Sequence, residues 1–233
     1  MADVSTQVSA SLEALTQEFD IITHNLANVS TAGYKRRCSS FSSMLDDQQD
    51  AAATALDFSQ GNLVETGRTL DVALYGKGFF VIETPDGPLY TRHGVFRANQ
   101  NGQIVDSEGR SLAGASGPLA IPTTTDISQV TVSQGGRISA DGALIGQFRI
   151  VDFAGKEDQL ETVGFCCFRA PQDVPPRDVE DVVVKQGYQE ASNVEIVDEL
   201  VGMIMVSRMY EANMRLLSIK KDTTNSVISV AMG

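Results

Sequence analysis

The feature that most restricts this chain is an apolar seam near each end. Val8, Leu12, Leu15, Phe19, Ile22, Leu26 and Val29 follow one another at spacings of 4, 3, 4, 3, 4 and 3. That is a heptad repeat, which predicts a helix with one apolar side. No proline interrupts residues 1–34. A second seam runs through Ile196, Leu200, Met203, Ser207, Tyr210, Met214, Leu217, Lys221, Thr224 and Ile228, apolar early and weaker after Leu217. Ser192-Asn193-Val194-Glu195 has the form of a capping box and places the start of this helix near residue 192. Glu195, Asp198 and Glu199 near the start, and Arg215, Lys220 and Lys221 near the end, suit the helix dipole. Met203, Met205, Met209 and Met214 give the helix an adaptable surface, because methionine fills irregular gaps.

Between the seams the period changes. Residues 35–70 are rich in Ser, Asp, Gln and Ala and read as a linker or extended arm; Ala51, Ala52, Ala53 and Ala55 are the only hint of a short helix there. From about residue 70, short β-like runs alternate with turn signals: PDG (85–87), QNG (100–102), SEG (107–109), QGG (134–136) and ADG (140–142). Phe79–Ile82, Val130–Val132 and Phe148–Val151 are expected strands. Residues 171–185 carry prolines and charges and read as a connection back out of the β region. The expected fold class is therefore α+β: paired long N- and C-terminal helices, coiled-coil-like, plus a central antiparallel β domain of short hairpins. The expected boundaries are 1–34 for the first helix, 35–70 for the arm, 71–185 for the β domain and 186–233 for the second helix.

Charge and cysteine content exclude several functions. The net charge of −12 argues against nucleic-acid binding, which needs clustered Lys and Arg, and Lys35-Arg36-Arg37 is the one basic run. Cys38, Cys166 and Cys167 make an odd number with no CxxC spacing, so neither a disulfide framework nor a zinc site is indicated. Residues 1–20 lack a basic start and an apolar core of a cleaved signal. No run reaches the roughly 20 apolar residues of a membrane helix. A cytoplasmic protein, or one exported by an uncleaved signal, is expected.

Catalytic chemistry finds little support. His24 and His93 stand apart from any Cys or Asp at a motif spacing, and both are expected to be structural. No GxSxG or HExxH occurs. Gly76-Lys77-Gly78 resembles a fragment of a phosphate loop but runs into a strand instead of a helix N-terminus. Asp71, Asp86 and Asp106 are expected in turns; convergence of two of them would be needed for glycosidase work. Cys166-Cys167 lie between Phe165 and Phe168, so a buried apolar role competes with a vicinal disulfide or reactive thiol, and Cys38 lies beside Arg36 and Arg37.

Three stretches resemble the family of bacterial flagellar rod and hook proteins. They are NLANVSTAGYKR (25–36), GNLVETGRTLDVALYGKGFFVIETPDGPLYTRHGVFRANQNGQIVDSEG (61–109) and QGYQEASNVEIVDELVGMIMVSRMYEANMRLL (186–217), in the family's order. The resemblance implies a structural, non-enzymatic subunit of the basal-body rod. Such subunits assemble through their terminal helices into a hollow helical tube that transmits torque and passes exported subunits across the periplasm. It implies copies of itself and other axial rod and hook proteins as partners. It also implies passage through the flagellar type III export apparatus without a cleaved signal, and proximity to the surrounding ring proteins. It calls for no cofactor, metal, nucleic acid or membrane insertion. GPLAIP and the strand pair that follows look more like the proximal rod type than the distal, while AGKEDQLETVGFCCFRAP after Phe153 departs from the distal pattern. A cell-wall hydrolase or a trimeric surface adhesin is the competing reading.

On this reading the expected subunit interface is Val8, Leu12, Leu15, Phe19, Ile22, Asn25, Leu26, Asn28 and Val29 on the first helix. On the second it is Ile196, Leu200, Met203, Tyr210, Met214 and Leu217. Asn25 and Asn28 fall beside the seam, where they could bond a neighbouring helix and set register. Gly33 is expected in a left-handed conformation past the helix end. The terminal segments are expected to order fully only on assembly.

Overall fold

The computed structural model describes residues 4–39, 54–179 and 182–232. Two α-helices are present among them: α1, Val4–Ala27, and α2, Ile196–Met232. The described strands lie between the helices, and the ladders of the β-rich unit are antiparallel. The chain divides into two compact units. One contains α1, α2 and the strand Arg37–Ser39 with Thr54 and Ala55; the other contains Leu56–Asn193 together with Asn28–Arg36.

The β-rich unit is built on the strand Phe79–Glu83. Its run Phe79-Phe80-Val81-Ile82 is apolar at every position, which a strand needs only when both its faces are covered. Both are. Phe80 and Ile82 enter one apolar cluster with Val72, Leu74, Ile104, Leu112 and Ile138. Phe79 and Val81 enter a second with Tyr90, Val151, Phe153 and Phe168. Edge-to-face ring pairs join Phe80 to Phe96 and Phe148, and Phe79 to Phe153 and Phe168. Around this strand the main sheet runs Glu161–Thr162, Cys167–Arg169, Leu89–Thr91, Phe79–Glu83, Ser111–Gly114, Ile104–Val105, Arg97–Ala98. A three-stranded meander, Val130–Val132, Arg137–Ala140 and Ala143–Gln147, adds Ile138 to the first cluster.

The turn signals land where the strands need them. In ADG, Asp141 and Gly142 both take positive φ (51° and 77°), as a two-residue hairpin turn requires. Residues 171–185 do more than connect. Arg177–Asp178 pairs with Ile150–Asp152, and Val183–Gln186 pairs with Val72–Tyr75. Leu63–Glu65 pairs with Tyr188–Glu190, so the ends of the unit are laced together. Of the alanines at 51–55, Ala55 lies in the strand Thr54–Leu56, paired with Arg37–Ser39; the rest, like residues 40–53 generally, lie outside the described residues.

The expected coiled-coil pairing of the terminal helices is not what the structure shows. The α+β class holds, with a 24-residue and a 37-residue helix, but the two heptad seams do not meet as a buried interface. Ile196, Leu200, Tyr210 and Met214 are exposed, as is Phe19. The positions of α2 that turn toward α1 are others. Glu199 and Val206 are buried, Ile22 approaches where a Cβ on Gly202 would stand 3.2 Å from its Cδ1, and Asn213 donates to Ser11 Oγ at 3.0 Å. At about 3.6 residues per turn, Glu199, Gly202, Val206 and Asn213 form one stripe, roughly a quarter turn from the predicted seam. Apart from Val206, that stripe is made of a glycine and polar residues. A search for the most apolar face therefore selects the wrong side.

Candidate functional site

On α2, the stripe facing α1 leaves most of an apolar helix uncovered. Val197 is 71% exposed, Met205 61% and Ile219 62%, and Val201, Ile204, Met209 and Leu216 are also exposed. These seven fall on one face by helical spacing, and none of them is on the predicted seam. The methionines were the signal in the sequence: Met205 and Met209 belong to no heptad position, yet they are apolar. Of the expected interface residues on this helix, Ile196, Leu200, Tyr210 and Met214 are exposed, while Met203 and Leu217 are half-buried. On α1, Val8, Leu12, Leu15 and Leu26 are half-buried, Ile22 is buried and Phe19 exposed. A cleft of ≈ 390 Å³ between the helices is lined by Leu15, Thr16, Phe19, Val206, Ser207, Tyr210 and Glu211.

Asn25 has work inside its own chain. It is fully buried, its Oδ1 accepts from the Arg37 N–H at 2.9 Å, and its Nδ2 donates to the Arg37 carbonyl at 2.8 Å. The amide thus closes a loop from α1 to the strand Arg37–Ser39. Asn28 and Val29 lie past the end of α1, where Thr31 N–H donates to the Asn28 carbonyl at 3.0 Å and the Thr31 hydroxyl lies 3.3 Å from Asn28 Oδ1.

In the β-rich unit, residues far apart in sequence converge on Glu190. Lys35 Nζ lies 2.7 Å from Glu190 Oε1 and 2.6 Å from the Ser59 carbonyl. Arg92 Nε lies 3.1 Å from Glu190 Oε2. Gly61 N–H adds a bond to Oε1 at 3.1 Å. Arg92 spends its other nitrogens on the carbonyls of Gly78 (2.7 Å) and Gly76 (2.6 Å). The Gly76-Lys77-Gly78 loop therefore turns two carbonyls toward a guanidinium, the opposite of a phosphate cradle. Burial holds the pKa of Lys35 below the ordinary lysine value, with Glu190 pulling the other way and Arg92 adding to the depression. The cluster has two cations and one carboxylate, all buried.

Gly33 does take positive φ (66°), six residues beyond α1. Its N–H donates to the Glu190 carbonyl at 2.7 Å, and a Cβ there would stand 2.5 Å from His93 N. It is a contact glycine for the β-rich unit, not a cap on α1. The capping-box expectation for α2 is also displaced. The helix starts at Ile196, and Asn193 instead accepts from Arg36 N–H (2.7 Å) and donates to the Asp57 carbonyl (2.8 Å).

The remaining polar candidates are committed to structure. Asp71 accepts from Thr66 and Arg68, and Asp106 accepts from Glu108 N–H and from Arg110 at two points; Asp86 is an exposed turn residue. His93 packs edge-on against Phe165, and burial lowers its pKa against the pull of Asp106 and Asp71. Arg110 Nη2 lies 3.0 Å from Cys167 Sγ, whose pKa burial raises. Burial, with Cys167 beside it, pushes the Cys166 thiol up to about 12. These thiols are protonated near neutral pH, the opposite of an activated nucleophile. Among the described residues, no group of three or more His, Cys, Asp or Glu could hold a metal ion, and no helix is long and apolar enough to cross a membrane.

A β-rich unit whose candidate polar residues are held in structural hydrogen bonds and ion pairs, together with a helix that exposes apolar residues on one face, has the make-up of an assembly subunit. Residues 73–140 match the flagellar hook protein FlgE/F/G D1 domain, and residues 185–230 match the C-terminal domain of flagellar basal body rod FlgEFG proteins. The chain is 31% identical to the flagellar basal-body rod protein FlgG of Agrobacterium fabrum, over 94% of this chain and 95% of that one. It is 29% identical to the rod protein FlgF of Caulobacter vibrioides (92% and 91%) and 30% identical to FlgF of Mesorhizobium japonicum (88% and 87%). The chain belongs to the flagellar basal-body rod protein family.

Proposed function

We propose that the uncovered face of α2, with the exposed seam residues beside it, is the surface through which this rod protein joins its neighbours. The chain is a structural subunit of the flagellar basal-body rod and resides in the basal body of the flagellum. Its family implies assembly with other axial flagellar proteins. The observation that carries the reading is the exposure of Val197, Val201, Ile204, Met205, Met209, Leu216 and Ile219 on one helix face. Exposed Asp198, Arg208 and Arg215 lie among them on the same face, so the surface sets apolar side chains between charges, a make-up suited to a subunit interface. Contacts that repeat without closing a ring build a helical polymer. The exposed seam residues Phe19, Ile196, Leu200, Tyr210 and Met214 form the rest of that surface, with half-buried Val8, Leu12 and Leu15 beside them, while Ile22 is buried inside the chain. Asn25 contributes by holding the end of α1.

The partners are copies of this chain and other rod and hook subunits, reached by way of the flagellar type III export apparatus, with ring proteins around the finished rod. No enzymatic activity is part of the role; the paired acids and raised thiol pKa values support that.

The proximal rod type is the favoured subtype. The alignment with Agrobacterium fabrum FlgG runs over 255 residues, longer than this 233-residue chain, so that relative carries insertions against it. The alignment with Mesorhizobium japonicum FlgF runs over 214 residues. The test is a deletion strain complemented with a tagged chain. The expected result is a non-motile deletion strain with incomplete rods, and tagged chain in basal bodies purified from the complemented strain. Complete rods in the deletion strain would refute the assignment.

A further inference from the structure

Segment Asn28–Arg36 belongs to the β-rich unit, yet it contributes no residue to either of that unit's apolar clusters. Several of its attachments are polar. Gly33 N–H reaches the Glu190 carbonyl, Lys35 Nζ reaches Ser59 and Glu190, Arg36 N–H reaches Asn193 Oδ1, and Asp57 N–H reaches the Arg36 carbonyl at 2.9 Å. Tyr34 and Lys35 are its large buried side chains.

The site it covers keeps most of its contacts without it, and Glu190 Oε2 has no hydrogen bond even with the segment in place. With the segment lifted away, Glu190 keeps Arg92 and the Gly61 N–H, and Arg92 keeps the carbonyls of Gly76 and Gly78. One carboxylate then faces one guanidinium, which Asp152 also attracts. Lys35 arrives as the second cation. Its docking gains two short bonds but strips water from an ammonium, and such exchanges come close to break-even.

We infer that Asn28–Arg36 is a strap that closes over an already folded β-rich unit, with Lys35 as the plug that holds it shut. Gly33 is the point where the strap lies flat. At φ +66°, with the backbone of Arg92 and His93 within 2.6 Å of where a Cβ would be, no side chain fits beneath it. The strap continues directly from α1, so its opening is a conformational step that the chain can take while the core around Phe80 stays intact. This inference stands apart from the assembly reading: either holds if the other fails.

Amide hydrogen exchange on the full chain tests it. In the unaltered protein, the amides of Gly33 and Arg36 are expected to exchange by a local opening at least about 100-fold faster than the Phe80 amide, corrected for intrinsic rates. In Lys35→Ala they are expected to speed up by about tenfold or more while Phe80 stays within about twofold. Equal opening equilibria for Gly33, Arg36 and Phe80 in the unaltered protein would make the segment an integral part of the unit and overturn the strap. Unchanged exchange at Gly33 and Arg36 in Lys35→Ala would overturn the role of the plug. Loss of Phe80 protection in that variant would overturn the independence of the core.

Discussion

The ammonium of Lys35 and the carboxylate of Glu190 stand 2.7 Å apart, each side chain 1% exposed, across a sequence separation of 155 residues. Glu190 also faces Arg92, so this one carboxylate answers two buried cations. Glu190→Ala should therefore destabilise the β-rich unit by about 3–5 kcal/mol, because both cations lose their partner. Lys35→Ala should cost clearly less, since Arg92 and Glu190 remain matched. Urea unfolding of the two variants, followed by far-UV circular dichroism, gives the comparison; equal losses would contradict the charge count.

Gly94 is fixed by close approach. A Cβ on it would stand 1.6 Å from the Val72 carbonyl oxygen, and that oxygen belongs to backbone in the sheet. Gly94→Ala should lower stability by about 1–3 kcal/mol, the ordinary cost of forcing atoms into a filled site. Gly135→Ala, where a Cβ meets nothing within 4 Å and φ is unstrained, should be close to neutral. Thermal melts of the pair, read against the unaltered chain, check the contrast.

Cys166 should be a poor nucleophile. Burial and its neighbour Cys167 raise its pKa from the ordinary 9.0 to about 12. Its alkylation rate should keep climbing tenfold per pH unit beyond pH 9 instead of levelling off there. The sign for stability follows. A thiol whose folded pKa is raised contributes fully below pH 9, and the contribution is lost as pH rises from 9 toward 12. Peptide mapping after timed iodoacetamide treatment across that range measures the first effect; a plateau at pH 9 would contradict the burial.

Much of this architecture was legible in the sequence, for physical reasons. The turn triplets located hairpins because only certain residues tolerate positive φ, and the apolar run Phe79–Ile82 was read as a strand, which the structure covers on both faces. Two kinds of feature were not legible. The contact stripe of α2 toward α1 was hidden because Glu199, Gly202, Val206 and Asn213 are small or polar, so close approach decided the face and hydrophobicity did not. The cluster at Glu190 was hidden because lysine, arginine and glutamate are normally solvent-exposed, and only the pairing of Leu63–Glu65 with Tyr188–Glu190 carries Glu190 to its partners. Asn25 fell between the two. The repeat placed it beside the seam as a contact to a neighbouring helix, but its partner is Arg37 of its own chain, past the helix end and beyond the reach of any periodicity.

The central claim is that α2 assembles through its uncovered face, and Val201→Asp/Met205→Asp tests it most directly. Both positions are exposed, so the double variant should keep the circular dichroism spectrum and melting temperature of the isolated chain within about 0.5 kcal/mol of stability. Expressed in a deletion strain, it should be absent from purified basal bodies and fail to restore motility. Normal incorporation of that variant into rods would contradict the account.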